Sequence, residues 1–256
     1  MGSITGTIYA LWLREVTRFL RSKARVLGAG GSPLLWLATF GVGIGSLITI
    51  SKGTSYLDFI APGIVGMTLL FSSIFAGVNV IWDKQFGFMK EMLVAPVPRA
   101  GIVLGKIAGS TTVSMISALV ILVLVIAVGI IPLSQVTAIG VVLAIIMMLM
   151  ISASFVSLGL IIASLINNIE GFQVIINFLI LPVFFLSGAL FPMNNVPLWL
   201  RGIAAIDPLQ YGVDGMRGAL IGISTYPVYM DLGIMLAIMA ALVLIADIMF
   251  RRMQAK

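Results

Sequence analysis

Six long apolar runs, each about as long as a bilayer is thick, dominate this sequence. A helix needs about 20 predominantly apolar residues to cross the hydrocarbon core, and helices satisfy their own backbone hydrogen bonds there. Continuous runs do not show the alternation of a transmembrane β-barrel. The sequence therefore predicts an all-α integral membrane protein with six transmembrane helices. The predicted spans are residues 32–50, 59–81, 102–131, 136–166, 172–190 and 229–250.

The composition supports this class and argues against several functions. Of the 256 residues, 61% are hydrophobic and 9% are charged, whereas a soluble domain is about 25% charged. The chain contains no Cys and no His, which excludes disulfides, thiolate nucleophiles, imidazole bases and the usual zinc ligands. Asp58, Glu170 and Asp247 lie near span ends, whereas proton pathways use ionisable groups deeper in the membrane. These features disfavour a membrane-embedded enzyme and a proton-coupled exporter.

Positive charge is unequally shared between the two sides of the predicted spans. Twelve of the 15 Lys and Arg residues fall on one side, and only Lys52, Arg201 and Arg217 fall on the other. Because cytoplasmic loops carry the excess of Lys and Arg, both termini are expected in the cytoplasm, with the first span as an uncleaved signal anchor. Topology thus explains the net charge of +6, and no nucleic-acid partner is expected.

Residues 7–27 carry a basic amphipathic pattern, with apolar residues such as Trp12 and Phe19 opposite a row of arginines. The pattern predicts an N-terminal amphipathic interfacial helix, within a cytoplasmic segment 1–28, whose arginines meet lipid headgroups. It is either a plain topology anchor or an in-plane helix that also contacts a cytoplasmic partner. The arginines are Arg14, Arg18, Arg21 and Arg25.

The richest internal cluster of charge lies in residues 82–101, called the charged loop below. Its apolar residues Trp82, Phe86, Met89 and Leu93 share one helical stripe, and two prolines follow. The pattern predicts either a short amphipathic cytoplasmic helix or an ordinary polar loop. The stretch "GIVLGK" at 101–106 lacks the spacing of a phosphate-binding loop, so no nucleotide site is expected in this chain.

Two further groups of residues leave alternatives open. Residues 191–228 are too polar to span but keep apolar helical patches, which predicts either short re-entrant helices before the last span or a folded external loop. Hydroxyl and amide groups within the spans either join helices or line a translocation path. They are Ser72, Ser73, Asn79, Asn177 and Ser187.

Several motifs, in order along the chain, resemble the ABC-2 family of ABC-transporter permeases, including its multidrug and daunorubicin-resistance-like exporters. "APG" opens the second span, and the charged loop is similar to the family pattern G-x-x-x-x-L-x-x-P-x-x-R. Later, "SGALFP", "PLW" and "PLQYGVDGMR" match the family's remaining motifs. The motif residues are Gly87, Met92 or Leu93, Pro96, Arg99, Ser187, Gly188, Phe191, Pro192, Pro197, Trp199, Pro208, Tyr211 and Arg217. Asp207 replaces the family's usual asparagine.

The resemblance implies a transmembrane domain over residues 29–253 that acts as the permease of an ATP-driven exporter at the cell membrane. Two copies of a separate ATPase subunit would bind ATP and Mg²⁺, and a second permease subunit would complete a homo- or heterodimer. The charged loop would dock into the ATPase, and Glu170 in the second cytoplasmic turn would cap a helix or dock. The docking residues would be Lys84, Phe86, Lys90, Glu91 and Leu93.

The cargo implied by the resemblance is a drug, a lipid or a glycan. The alternative is a secondary transporter or channel-like membrane protein that is not driven by ATP.

Overall fold

The architecture was read from a computed structural model of the chain. The structure describes residues 3–43, 45, 55–94, 96–132, 136–193 and 196–252, with only the backbone of residues 23–30, 42 and 93. Within these ranges the chain is built of eleven α-helices. They are α1 (Ile4–Leu20), α2 (Lys23–Gly43), α3 (Tyr56–Ile74), α4 (Ala76–Gln85), α5 (Phe88–Val94), α6 (Arg99–Ala127), α7 (Ala138–Leu165), α8 (Ile169–Leu186), α9 (Leu198–Ala204), α10 (Pro208–Ile221) and α11 (Val228–Arg251).

The predicted class, an all-α integral membrane protein, is confirmed. Among the described residues, five helical segments are long and apolar enough to cross a membrane: α3 with α4, then α6, α7, α8 and α11. They correspond to the last five predicted spans. The first predicted span begins within α2, and its residues 44 and 46–50 lie outside the described residues. The count of six spans therefore stays a prediction.

Three predicted span ends differ from the ends of the corresponding helices. The third span is predicted to reach residue 131, whereas α6 ends at Ala127. The helix of the second span does not end at residue 81, because α4 continues to Gln85 after a break at Phe75. The fifth ends at Leu186 rather than at 190, because Ser187 is its C-cap and Gly188 has a φ of 70°. That left-handed conformation is readily available only to glycine, so the "SG" pair turns the chain out of α8.

The N-terminal amphipathic pattern does not form one helix over residues 7–27. Helix α1 ends at Leu20 and α2 begins at Lys23, and the amide of Ser22 donates to the carbonyl of Phe19 in the turn between them. Arg25 therefore belongs to α2, and its side chain lies outside the described residues. The helix predicted at the membrane interface is α1 alone.

Helix α1 packs closely against the first part of α6 because glycines line that face of α6. A Cβ built on Gly105 would lie 2.9 Å from the Cβ of Leu11, and one built on Gly109 would lie 2.8 Å from the Cβ of Glu15. Trp12 fixes the pair further, since its indole N–H donates to the hydroxyl of Thr112 at 3.0 Å. The close approach of backbones at small residues is typical of helix pairs in membranes.

Helix α3 forms the centre of the molecule, with 15 of its 19 residues buried. A helix that is apolar all round is expected in such a position. It contacts α2, α6, α7 and α10. The glycine of the "PG" motif, Gly63, explains one close contact, because a Cβ there would lie 2.3 Å from the carbonyl oxygen of Ala189. The motif thus brings α3 against the turn that follows α8.

The segment predicted to be re-entrant contains two short helices, α9 and α10. Residues 209–217 of α10 are all buried, and the helix packs against α3, α7 and α11. A folded helical segment therefore follows α8. Its depth relative to the bilayer stays a prediction.

Candidate functional site

A buried ion-pair cluster joins the N-terminal helix to the charged loop. A guanidinium nitrogen of Arg14 lies 2.9 Å from one carboxylate oxygen of Asp83, and the ammonium of Lys106 contacts the other. The side chains of Asp83 and Lys106 are each only 3% exposed. The cluster thereby connects α1, α4 and α6 just before the chain enters the exposed part of the charged loop.

Lys84, a predicted docking residue, is half-buried and bonded to the end of α7. Its ammonium donates to the carbonyl oxygens of Ala163 at 2.7 Å, Ser164 at 3.3 Å and Ile166 at 3.2 Å. These are among the last carbonyls of α7, which lack partners within the helix, and a lysine at a helix C-terminus is favourable. Lys84 therefore attaches α4 to the turn between α7 and α8.

The next residues of the charged loop leave the helical bundle. Helix α4 ends at Gln85, Gly87 has a φ of 82°, and α5 begins at Phe88. The predicted stripe from Trp82 to Leu93 is thus broken, because Gly87 takes a left-handed conformation that the helix does not allow. Phe86 is 71% exposed.

The other docking candidates lie on α5. Lys90 and Glu91 are exposed, whereas Met89 is buried and holds the short helix against the bundle. The guanidinium of Arg14 lies 5.7 Å from the ring centre of Phe88, within the range of a cation–π contact. The side chain of Leu93 lies outside the described residues.

The turn predicted to be the second cytoplasmic one leads into α8, but Glu170 does not cap this helix as one alternative expected. The side chain of Asn168 is the cap, since it accepts from the backbone amide of Gly171 at 3.2 Å. Glu170 is exposed in the first turn, where a negative charge is favourable.

The arginines predicted at lipid headgroups divide into two groups. Arg14 pairs with Asp83, and Arg18 donates to the side-chain oxygen of Asn79. Both therefore have partners on α4. Arg21 is the exposed C-cap residue of α1.

The hydroxyl and amide groups predicted along a pathway are not all brought together. Ser72 and Asn79 line one cavity. Ser73 instead bonds Ser152 of α7 at 3.0 Å, which is the helix-joining alternative. Ser187 is used locally, since its hydroxyl donates to the carbonyl of Phe184 and accepts from an amide two residues on. Asn177 is exposed on α8.

The cavity that Ser72 and Asn79 line, called the large cavity below, has a volume of about 790 Å³. Helices α1, α2, α3, α4, α6 and α8 contribute to its wall. Ligand pockets in proteins commonly measure 300–1,000 Å³. Most of the lining residues are aromatic or aliphatic, and each of the six helices also contributes at least one polar side chain. Besides Asn79, the charged and amide groups on the wall are those of Glu15, Arg18 and Gln173. Glu15 and Gln173 are not among the residues predicted to line a pathway.

Arg217, a motif residue of the last third, is bonded to two other parts of the fold. The guanidinium of Arg217 donates to the carbonyls of Phe59 at 3.2 Å and Gly188 at 3.0 Å, and it lies 3.7 Å from the ring centre of Phe59. Asp214 accepts from the backbone amides of Thr225 and Tyr226. These bonds hold α10 to the start of α3 and to the chain before α11.

Asp207 caps α10 in an unusual electrostatic setting. One carboxyl oxygen accepts from the amide of Leu209 at 2.9 Å, and the other is buried without a hydrogen-bond partner among the described residues. Burial raises the pKa of the Asp207 carboxyl to about 7, although the Leu209 amide opposes that shift. An asparagine here, as in the family motif, would carry no such charge.

The sequence family follows from comparison with known proteins. The family model for the ABC-2 type transporter matches residues 7–221. The chain belongs to this family. That makes it a multi-pass membrane protein and the permease subunit of an ABC transporter, a family that works with an ABC ATPase subunit.

Three relatives illustrate the range of this ABC-2 permease's family. A putative transport permease, ycf38, from Pyropia yezoensis is 32% identical over 224 residues, covering 84% of this chain and 74% of the relative. The inner membrane transport permease YadH of Escherichia coli K12 is 26% identical, with 95% and 94% covered. Nodulation protein J of Rhizobium leguminosarum bv. viciae is 24% identical, with 95% and 93% covered.

Proposed function

We propose that this permease is the membrane part of an ATP-driven exporter, in which two ATPase subunits bind ATP and Mg²⁺ and drive two permease subunits. Nothing in the motifs gives this chain a nucleotide site of its own. The proposed orientation places both termini and the charged loop in the cytoplasm of a cell membrane. The proposed cargo class is a drug, a lipid or a glycan.

One observation carries the proposal: an exposed aromatic residue follows directly on residues that are bonded to other helices. Phe86 is 71% exposed. Asp83 and Lys84, just before it, are bonded to α1, α6 and the end of α7. A docking element must be exposed to bind its partner and rigidly joined to the spans to transmit movement. The charged loop meets both requirements.

The docking surface that we propose contains Phe86, Lys90, Glu91 and Leu93, with Lys84 as its internal attachment. Aromatic residues commonly anchor protein interfaces, and the flanking charges would set the orientation of the partner. Glu170 on the neighbouring turn would extend the surface.

The second permease subunit is proposed to cover α8. This helix exposes the amides of Gln173 and Asn177, and a polar group in contact with lipid is costly. By contrast, the exposed residues of α11 between Leu236 and Ile248 are all apolar and suit a lipid-facing surface. The exposed amides of Gln173 and Asn177 therefore favour α8 as the helix that contacts the second subunit, beside the translocation path.

Co-purification tests the docking proposal. The permease would be co-expressed with an ABC ATPase subunit from its own genome, and the double variant Phe86→Asp with Lys90→Glu should lose the ATPase while it remains in the membrane. Ile206→Asp is the matched control, because Ile206 is 80% exposed but belongs to the opposite, outer segment. If the double variant retained the ATPase, the docking surface would be wrong. If the wild type bound no ATPase at all, transport without ATP would become the better hypothesis.

A further inference from the structure

One carboxylate on the wall of the large cavity has no partner among the side chains that the structure describes. Glu15 of α1 is only 6% exposed, and it makes no hydrogen bond or ion pair with any residue that the structure describes. Its stem packs against Gly109 of α6, so the side chain is held in place. Because Glu15 lines the cavity, its carboxylate is free to accept hydrogen bonds from a group bound there.

The basic residues near Glu15 on the same helices are already engaged. Arg14 and Lys106 share the carboxylate of Asp83, and Arg18 donates to Asn79. Each of these cations has a hydrogen-bond partner on α4, although the partner of Arg18 is a neutral amide. Glu15, which lies between the two arginines in sequence, has no partner among the described residues. Glu15 therefore lacks a hydrogen-bond donor, and an ammonium group would supply one together with a compensating charge.

The remainder of the wall suits the apolar part of a ligand. Trp36, Phe71 and Trp82 contribute aromatic surface from three helices, and aromatic faces also attract cations. The volume of about 790 Å³ exceeds what an inorganic cation needs and matches a drug-sized or lipid-sized molecule.

We propose that the large cavity binds an amphiphile with a protonated amine, whose ammonium group contacts Glu15 and whose apolar part lies along the aromatic wall. The interpretation of the large cavity as a site for cargo or for lipid entry rests on the proposed export function. The same chemistry is offered by a soluble hydrophobic amine and by an ethanolamine lipid headgroup.

The test is a binding assay on the full-length permease in phosphatidylcholine nanodiscs. The probe is 12-bromododecylammonium, whose bromine quenches tryptophan emission on contact, and the neutral comparison is 12-bromododecanol. Glu15→Gln should weaken binding of the ammonium about tenfold, since a charge-assisted bond is lost, and should leave the alcohol unchanged. Asp247→Asn is the matched control, because Asp247 pairs with Arg251 on α11 and does not line the cavity. Equal affinities of wild type and Glu15→Gln for the ammonium would overturn the proposal.

A second measurement covers the possibility that Glu15→Gln fails to fold. In the wild type, modification of Glu15 by dicyclohexylcarbodiimide, located by peptide mass spectrometry, should be slowed by the bromoammonium probe and not by the alcohol. Equal protection by both probes would contradict the proposed contact. Replacing half of the phosphatidylcholine by phosphatidylethanolamine separates the two sources: competition with the probe identifies the lipid headgroup, and unchanged binding identifies a soluble amine.

These assays contain no ATPase. A failure of the export function would therefore leave them unchanged, and a failure of the Glu15 contact would leave the co-purification result unchanged.

Discussion

The ion-pair cluster of Arg14, Asp83 and Lys106 gives the sharpest stability prediction. Asp83→Asn would leave the ammonium of Lys106 buried, since that side chain is only 3% exposed. Removing one partner of a buried pair typically costs about 3–5 kcal/mol. Arg14 would suffer less, because its side chain is 35% exposed and water can solvate it. We therefore expect the free energy of unfolding to fall by about 3–5 kcal/mol.

A double-variant cycle separates the ion pair from other effects. Lys106→Met removes the ammonium but keeps the 2.9 Å contact between Arg14 and Asp83, so a smaller loss of about 1–3 kcal/mol is expected. The double variant Asp83→Asn with Lys106→Met should be more stable than the sum of the single effects, since no buried charge is left unpaired.

The assay is reversible denaturant unfolding in mixed micelles, followed by tryptophan emission. Asp247→Asn, which breaks a pair with the exposed guanidinium of Arg251, is the control and should change stability by less than about 1 kcal/mol. A loss below about 0.5 kcal/mol for Asp83→Asn, the level of an ordinary surface substitution, would refute the account of this cluster. Strict additivity in the double variant would refute it equally.

Three other predictions concern packing, protonation and assembly. Gly105→Val should destabilise the α1–α6 contact by about 1–3 kcal/mol, as measured by unfolding. Gly233→Val, where a Cβ would meet nothing within 4 Å, should show only a small gain in helix propensity. The raised pKa of Asp207 means that, between about pH 4 and about pH 7, the folded state holds a proton that the unfolded state releases. Stability should therefore fall as pH rises through this range. Asp207→Asn should reduce that slope in pH-dependent thermal unfolding, and an unchanged slope would exclude a contribution from Asp207. In this cysteine-free chain, Asn177→Cys should form a disulfide-linked dimer on oxidation while Ala240→Cys on α11 should not, and the reverse result would place the subunit contact on α11.

Hydropathy predicted the membrane helices well because the physical requirement is local. Five of the six predicted spans match helices of sufficient length and apolarity, with errors at boundaries decided by single residues. Residue 81 was predicted as the end of the second span because Trp82 and Asp83 follow it. Asp83 is nevertheless buried, because cations from other helices pair with its carboxylate. A residue's polarity alone does not show whether a partner distant in sequence will neutralise it.

The site was less predictable because its contacts join distant parts of the chain. Asp83 and Lys106 belong to different helices on either side of the prolines, so no periodicity relates them. Glu15 was overlooked among the arginines of the amphipathic pattern, since its importance depends on the cavity beside it. By contrast, the glycine spacing of α6 was visible in the sequence: Gly101, Gly105 and Gly109 recur every four residues and all face α1.

The central claim, that the charged loop docks into a separate ATPase, is tested most directly by site-specific photo-crosslinking. Phe86→Cys, labelled with a benzophenone maleimide in the cysteine-free chain, would be irradiated in membranes that contain the co-expressed ATPase subunit. The account predicts a permease–ATPase product from Phe86→Cys and none from Ile206→Cys. An ATPase that co-purifies with the permease but never crosslinks to position 86 would contradict it.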